Sequence, residues 1–192
     1  YGDPLKHPQK ENYLGNVSTT GPRACYDEGK RGSETVFFDY GRKYKTNIRV
    51  ARIFNTYGPN MQLNDGRVIS NFIVQCLKNK PMIIYGNGYQ TRSFCYVSDL
   101  IDAIVKFTNN DLMFKGPINL GNPDEYKIVE IARIIKKITN SKSKIIFKKK
   151  LIDDPLRRKP DINLAKKILK WKPQTSIETG LNLTISYFRK ML

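Results

Sequence analysis

The sequence predicts an α/β fold on three observations. Residues 48–54 alternate apolar and polar side chains, as a half-buried strand does. Residues 128–139 repeat their apolar positions at helical spacing. Strand and helix patterns then succeed one another along most of the 192 residues, the arrangement from which layered α/β proteins are built.

Residues 1–22, rich in Pro, Gly, Asn and Lys, read as loop. A helical pattern covers 23–46, with Ala24, Thr35, Val36, Phe37 and Tyr40 near one face, and leads into the strand at 48–54. Tyr57-Gly58-Pro59 and Asn64-Asp65-Gly66 are turn signals that mark a loop over 55–66. After a helix over 68–78, short strands at 82–85 and 93–97 flank the Gly86-Asn87-Gly88 turn. Ser98 and Asp99 are candidate N-caps for a helix reaching 109. A strand at 117–120, the helix at 128–139 and a strand at 144–147 follow, then a charged loop over 153–161. A short helix at 163–169 stops before Trp171-Lys172-Pro173, and Thr175 with Glu178 suggests a capping box for the last helix, which reaches about 190. These later elements are too short and irregular to continue one doubly wound sheet, and 192 residues can bury one substantial core with room for a second small lobe.

The formal net charge is +17, which suits anionic ligands. The lysines fall singly or in pairs apart from Lys148-Lys149-Lys150, and no zinc-finger spacing, RNP-type aromatic motif or basic heptad accompanies them. A nucleic-acid partner is therefore not expected. No apolar run approaches the ~18 residues that a membrane helix needs, and no signal peptide is evident. Cys25, Cys76 and Cys95 form neither a CxxC pair nor a metal cluster with His7, and read as reduced, partly buried side chains. Asp153 and Asp154 are adjacent acids without a nearby His, so no metal is expected there.

Tyr26 and Lys30 stand four residues apart on one predicted helix and so share a face. An ammonium beside a phenol favours the phenolate, which makes the pair a candidate general base for a hydroxyl proton. Eleven of the residues are tyrosine and many are lysine, so roughly one YxxxK arises by chance and the motif alone carries little.

Its surroundings carry more. Tyr26-Asp27-Glu28-Gly29-Lys30-Arg31 follows Gly21-Pro22-Arg23, and the strand after it leads into Asn55-Thr56-Tyr57-Gly58-Pro59 and Asn64-Asp65-Gly66-Arg67-Val68. Next stand Tyr85-Gly86-Asn87-Gly88-Tyr89-Gln90-Thr91-Arg92-Ser93-Phe94 and Asn119-Leu120-Gly121-Asn122-Pro123. Asp153-Asp154-Pro155-Leu156-Arg157-Arg158-Lys159-Pro160-Asp161 closes the set. In this order the blocks resemble, nearly end to end, the extended short-chain dehydrogenases that act on nucleotide sugars, and among them the UDP-glucuronate decarboxylases.

The resemblance implies the C-terminal part of a Rossmann-like fold plus a small α/β substrate lobe, with the N-terminal glycine-rich βαβ units absent. Residues 1–66 would be the remainder of the NAD-binding domain, and 67–192 mainly the nucleotide-sugar lobe, returning in part to the first core. The implied reaction oxidises the 4-hydroxyl of UDP-glucuronate with a recycled NAD, loses the carboxylate of the resulting β-keto acid as CO2, and reduces the ketone to give UDP-xylose. Tyr26 would be base and acid, and Lys30 would favour its phenolate and bind the nicotinamide ribose. Thr56 and Arg67 would touch NAD or close the site, and Asn55 would contact the sugar diphosphate. Ile84 and Tyr85 would line the uridine pocket, while Arg92 and Arg158 would clamp the diphosphate. No GxxGxxG or GxGxxG precedes a helix anywhere in the chain, so the main NAD motif is missing; a fragment of a longer enzyme is expected, the alternative being a short product that is inactive or takes its NAD half from another chain. The resemblance further implies a homodimer built on the Tyr–Lys helix, and a cytoplasmic location unless an N-terminal anchor places the enzyme in the Golgi lumen.

Plainer readings stand beside these. A 4,6-dehydratase, a 4-epimerase or a non-catalytic UDP-sugar-binding remnant are the alternatives at the level of function. Arg92 could be an edge-strand charge facing solvent, Arg157 is expected to be one, and Asn55 and Tyr57 could simply form a turn. Asp99 reads as a helix N-terminal residue, Trp171 as core packing, and Glu34 and Asp39 as solvated helix positions.

Overall fold

A computed structural model describes residues 1–110, 114–150 and 155–192. The strand predicted at 48–54 narrows to β1 (Ala51–Ile53), which pairs in parallel with β6 (Ile118–Leu120), Ala51 opposite Ile118 and Ile53 opposite Leu120. Parallel strands need a long crossover, and here it includes α3 (Val97–Thr108). Leu100, Ala103 and Phe107 of α3 pack with Ile118, Leu120, Trp171 and the Ala165–Leu169 face of α5 (Asn163–Leu169) in one apolar core. The Trp171 indole donates from Nε1 to the Asp99 carbonyl at 3.0 Å, which satisfies its only polar atom in that core.

A second core gathers around β3 (Met82–Tyr85), which runs parallel to β8 (Ile145–Lys148). Helices α2 (Val68–Leu77), α4 (Ile128–Thr139) and α6 (Ile177–Met191) cover it. Ile128, Ile131, Ala132 and Ile135 of α4 are buried at helical spacing, the periodicity on which that helix was predicted. Gly180 brings α6 hard against Tyr57: a Cβ there would collide with the phenol oxygen. Tyr57 is accordingly a core residue, its hydroxyl donating to the Ile177 carbonyl, rather than a mere turn residue.

Two small sheets lie beside these cores. β2 (Thr56–Tyr57) pairs in parallel with β5 (Cys95–Tyr96). β4 (Thr91–Ser93) is the central strand of three, antiparallel to β7 (Glu125–Lys127) and parallel to β9 (Arg157–Arg158). β2 and β9 fall in stretches that the sequence marks as loop and β7 in one without an assignment, because two or three residues cannot display an alternation, and β9 is made of arginines.

Helix α1 (Ala24–Tyr44) packs least. Gly41 is its buried residue, with the Ile48 side chain 3.2 Å from where a Cβ would stand. Val36, Phe37 and Tyr40, expected on an inward face, are more than half exposed. Other expectations shift locally. α3 begins after Tyr96 without a side-chain cap, and the Asp99 carboxylate in its first turn accepts instead from the amides of Gln174 and Thr175, at 3.2 and 2.9 Å. The cap of α6 is Ser176, accepting from the Thr179 amide at 3.1 Å, one residue later than the Thr175–Glu178 box. Cys25 is exposed, unlike buried Cys76 and Cys95, and all three are unpaired.

Among the described residues no helix is long and apolar enough to cross a membrane, and no group of three or more His, Cys, Asp or Glu converges. Asp153 and Asp154 lie outside the described residues.

Candidate active site

Arg92 and Arg158, 66 positions apart in sequence, are direct partners in the β4–β9 ladder. Arg92 is buried, 8% exposed, on a central strand, so the edge-strand reading does not hold for it. Its Nη1 donates to the Thr91 carbonyl at 2.8 Å, and Arg158 Nη2 reaches the Gly2 carbonyl at 3.5 Å. Arg157, one residue earlier, is exposed. Register partners on neighbouring strands project to the same face of the sheet, and guanidinium forks match phosphate oxygens in charge and shape.

Asn55 sits next to this pair. Its Nδ2 donates to the Ser93 carbonyl at 3.4 Å, and its own carbonyl accepts from the Cys95 amide at 2.9 Å. The Thr56 hydroxyl donates to the Phe54 carbonyl at 2.9 Å. Arg67 reaches over from the following loop, donating Nη1 to the Thr56 carbonyl at 3.3 Å and Nη2 to Asp65 Oδ2 at 2.6 Å. The hydrogen bonds from Arg67 hold the Asp65 carboxyl below its usual range. In return the hydrogen bonds to Asp65 raise Arg67.

Tyr26 and Lys30 project from the first turns of α1, both exposed. The Lys30 ammonium lies 5.9 Å from the centre of the Tyr26 ring, and the Arg23 guanidinium lies 5.6 Å from it on the same helix end. Tyr85 is partly exposed at the end of β3, opposite Lys148. Ile84 is 1% exposed and belongs to the second core, and adjacent strand residues point to opposite faces. Ile84 and Tyr85 therefore do not present side chains to one surface. Asn55 is hydrogen-bonded to β4 and Arg67 to the Thr56 carbonyl, whereas Tyr26 and Lys30 stand on α1 and Tyr85 on a separate sheet.

A polar cluster that sequence reasoning missed joins these parts. Arg52, on β1, donates Nε and Nη2 to Glu34 of α1 at 2.9 and 2.6 Å. Its Nη1 donates to Tyr1 Oη and to the Glu11 carbonyl, each at 2.8 Å. Burial alone would lower the Arg52 guanidinium, but the bonds to Glu34 and Tyr1 hold it above its ordinary value. Glu34 is thus not a solvated helix position, whereas Asp39, exposed and paired with Arg42 three residues on, is. Tyr1 Oη donates to Asn119 Oδ1 at 2.8 Å, and Asn119 Nδ2 donates to the carbonyls of Gln9 and Asp161 at 3.0 and 3.1 Å. The segment 1–16 is in this way strapped across β1, β6 and the chain just after β9, with His7 reaching Glu125 of β7 at 2.9 Å. Four-residue spacing of Glu34 from Lys30 was the one available signal, but nothing in sequence links Glu34 to Arg52.

A family model described as GDP-mannose 4,6 dehydratase matches residues 1–184. UDP-glucuronic acid decarboxylase 1 of Xenopus tropicalis is 53% identical over 192 residues, all of this chain and 45% of that protein. UDP-glucuronic acid decarboxylase 1 of Arabidopsis thaliana is 52% identical over 192 residues, again all of this chain and 44% of that protein. Among solved structures, UDP-glucuronic acid 4-epimerase from Bacillus cereus, in complex with UDP-glucuronic acid and NAD, superimposes with a TM-score of 0.89 at 26% identity. That match covers 98% of this chain and 58% of the epimerase. The chain spans about half the length of the curated relatives it matches.

Proposed function

The chain belongs to the GDP-mannose 4,6 dehydratase family of extended short-chain dehydrogenases, and from that premise we propose that it is the catalytic and UDP-sugar-binding part of an NAD-dependent UDP-glucuronate decarboxylase. The observation that carries this reading is identity of 53% to a UDP-glucuronic acid decarboxylase over the whole chain. The 4-epimerase, at 26%, supports the shared fold and the alternative of a family relative with another outcome at C4.

The residues present fit one end of NAD. Tyr26 and Lys30 stand exposed together on α1, where the ammonium suits a ribose hydroxyl, and Arg67 is hydrogen-bonded to the Thr56 carbonyl. Among the described residues no glycine-rich turn opening a helix serves the pyrophosphate end: Gly86-Asn87-Gly88 joins β3 to β4. We assign that end to a further dinucleotide-binding segment, with residues 1–66 completing its domain and 67–192 supplying mainly the sugar lobe. NAD held by Tyr26, Lys30, Thr56 and Arg67 would supply a reversible hydride acceptor for C4 of the sugar.

Tyr26 accepts the proton of the 4-hydroxyl and later restores it, while Lys30 stabilises the phenolate. The 4-ketone is β to the carboxylate, so the electrons of the C5–C6 bond move into the ketone and CO2 leaves. C5 then takes up a proton, and the balance is UDP-glucuronate plus a proton giving UDP-xylose plus CO2. Arg92 and Arg158 clamp the diphosphate, Asn55 touches its sugar side, and Tyr85, with the Ile84 backbone, flanks the uracil. The exposed Phe37, Tyr40 and Tyr44 of α1 support a homodimer of the completed enzyme, and the unpaired cysteines suit a reducing, cytoplasmic setting.

The test is product analysis of the chain alone, and of the chain preceded by a dinucleotide-binding segment of the length its relatives carry, each given UDP-glucuronate and NAD. UDP-xylose from the second alone is expected. UDP-xylose from neither overturns the decarboxylase reading, and UDP-xylose from the first overturns the division of labour.

A further inference from the structure

Helix α1 carries the proposed catalytic pair, yet the apolar cores barely hold it, Gly41 being the buried residue among its 21. What ties it to the sheet is polar. Arg31 Nη1 donates to the Leu14 carbonyl at an exposed position, and Glu34 receives the paired bonds from Arg52. The second tie is the better built. Both side chains are three-quarters buried, and every nitrogen of the guanidinium has an acceptor: Glu34 for Nε and Nη2, Tyr1 and Glu11 for Nη1. A planar fork held on three sides fixes the rotation of its partner as well as its distance.

Tyr26, Lys30 and Glu34 follow at four-residue steps, each about 40° further round a helix of 3.6 residues per turn. They lie on one side of α1. Arg52 lies in β1, the strand whose chain continues into Asn55 and Thr56. The Glu34–Arg52 pair therefore relates the face bearing the phenol and ammonium to the loop proposed to meet the sugar. A partly buried ion pair is a weak source of stability, and its best-attested use is to specify one arrangement over others.

We propose that Arg52 is a positioning residue, which acts through Glu34 to set the rotation of α1 and so the orientation of Tyr26 and Lys30 toward the substrate. The inference rests on the reading of Tyr26 and Lys30 as the catalytic pair. The nitrogens of Arg52 are engaged by Glu34, Tyr1 and Glu11, so the role proposed for it is to position and not to bind.

Cys25 supplies the means to test it. It is exposed beside Tyr26 on α1, while Cys76 and Cys95 are buried, so a thiol-specific nitroxide placed on the full chain reports the motion of this helix. In the native sequence the label gives an ordered spectrum. Arg52→Ala and Glu34→Gln shift it toward a mobile component, with the thermal unfolding transition still cooperative. Arg52→Lys keeps the charge but not the fork and does not restore the ordered spectrum. In the NAD-complete holoenzyme, the same variants lower kcat about 100-fold, the scale of a catalytic group misplaced by about an ångström, with KM for UDP-glucuronate nearly unchanged.

An unchanged nitroxide spectrum in folded Arg52→Ala overturns the proposal, as does full rescue by Arg52→Lys. If Arg52→Ala does not fold, Glu34→Gln, which leaves the Arg52 bonds to Tyr1 and Glu11 in place, decides on the same readout. A native holoenzyme without decarboxylase activity overturns the functional reading instead, and the nitroxide spectrum then still decides whether Arg52 orients the helix.

Discussion

Arg92 and Arg158 face each other across parallel strands β4 and β9, register partners from distant parts of the chain. The arrangement puts both arginine side chains on the same face of a sheet whose central strand is largely buried. Replacing either Arg92 or Arg158 by Ala is expected to weaken UDP binding by about 2–5 kcal/mol, the usual cost of truncating one partner of a buried charge pair. Calorimetric titration of the chain with UDP measures it. Unchanged affinity in both variants would remove the clamp from the account.

Tyr26→Phe removes the proton-carrying oxygen and keeps the ring between Arg23 and Lys30. Loss of a general base costs about 10²–10⁴-fold in turnover. Steady-state kinetics of the completed enzyme should show that loss in kcat, with UDP affinity retained because the proposed diphosphate contacts lie on the β4–β9 sheet.

The three cysteines should separate by reactivity. Burial, with the nearby Asp99 charge adding to it, pushes the Cys95 thiol up to about 12, and burial also raises Cys76. A thiolate is the reactive form, so at mildly alkaline pH a thiol reagent should modify Cys25 alone, and all three only after denaturation. The sign for stability follows from the same shift. The raised Cys95 contributes fully below the ordinary thiol value of about 8.5, and its contribution is lost as pH rises toward 12. Urea midpoints between pH 8 and 10.5 should therefore fall, and fall less in Cys95→Ala.

Asn119 is fully buried and holds together Tyr1, Gln9 and Asp161 through its side chain. Asn119→Leu leaves those three groups to find other partners, each at about 1–3 kcal/mol where it fails. Urea unfolding should show a loss of at least about 2 kcal/mol, whereas a change near zero would mean that segment 1–16 is not tied through this residue.

Much of the framework was legible because it rests on local signals. Helix α4 shows its apolar face at 128, 131, 132 and 135, and β3 falls on the residues predicted for it. Arg92 and Arg158 were singled out as a pair through resemblance, but their adjacency belongs to β9, a two-residue strand without any pattern of its own. Glu34 was misread for a related reason. Its partner Arg52 sits in a different element, and a long-range ion pair leaves no trace in periodicity. The apolar side chains on α1 were visible, yet what they rest against is not decided by the helix: Val36 and Phe37 face outward among the described residues. Ile84 and Tyr85 shared one expected role until strand alternation placed them on opposite faces.

The most direct test of the proposed activity follows the bond that breaks. UDP-glucuronate carrying carbon-14 at the carboxyl is given, with NAD, to the chain joined to a dinucleotide-binding segment. The account predicts labelled CO2 in step with UDP-xylose, and neither from Tyr26→Phe at a comparable rate. Label retained in a C4-inverted UDP-uronate would contradict it and make the chain part of an epimerase.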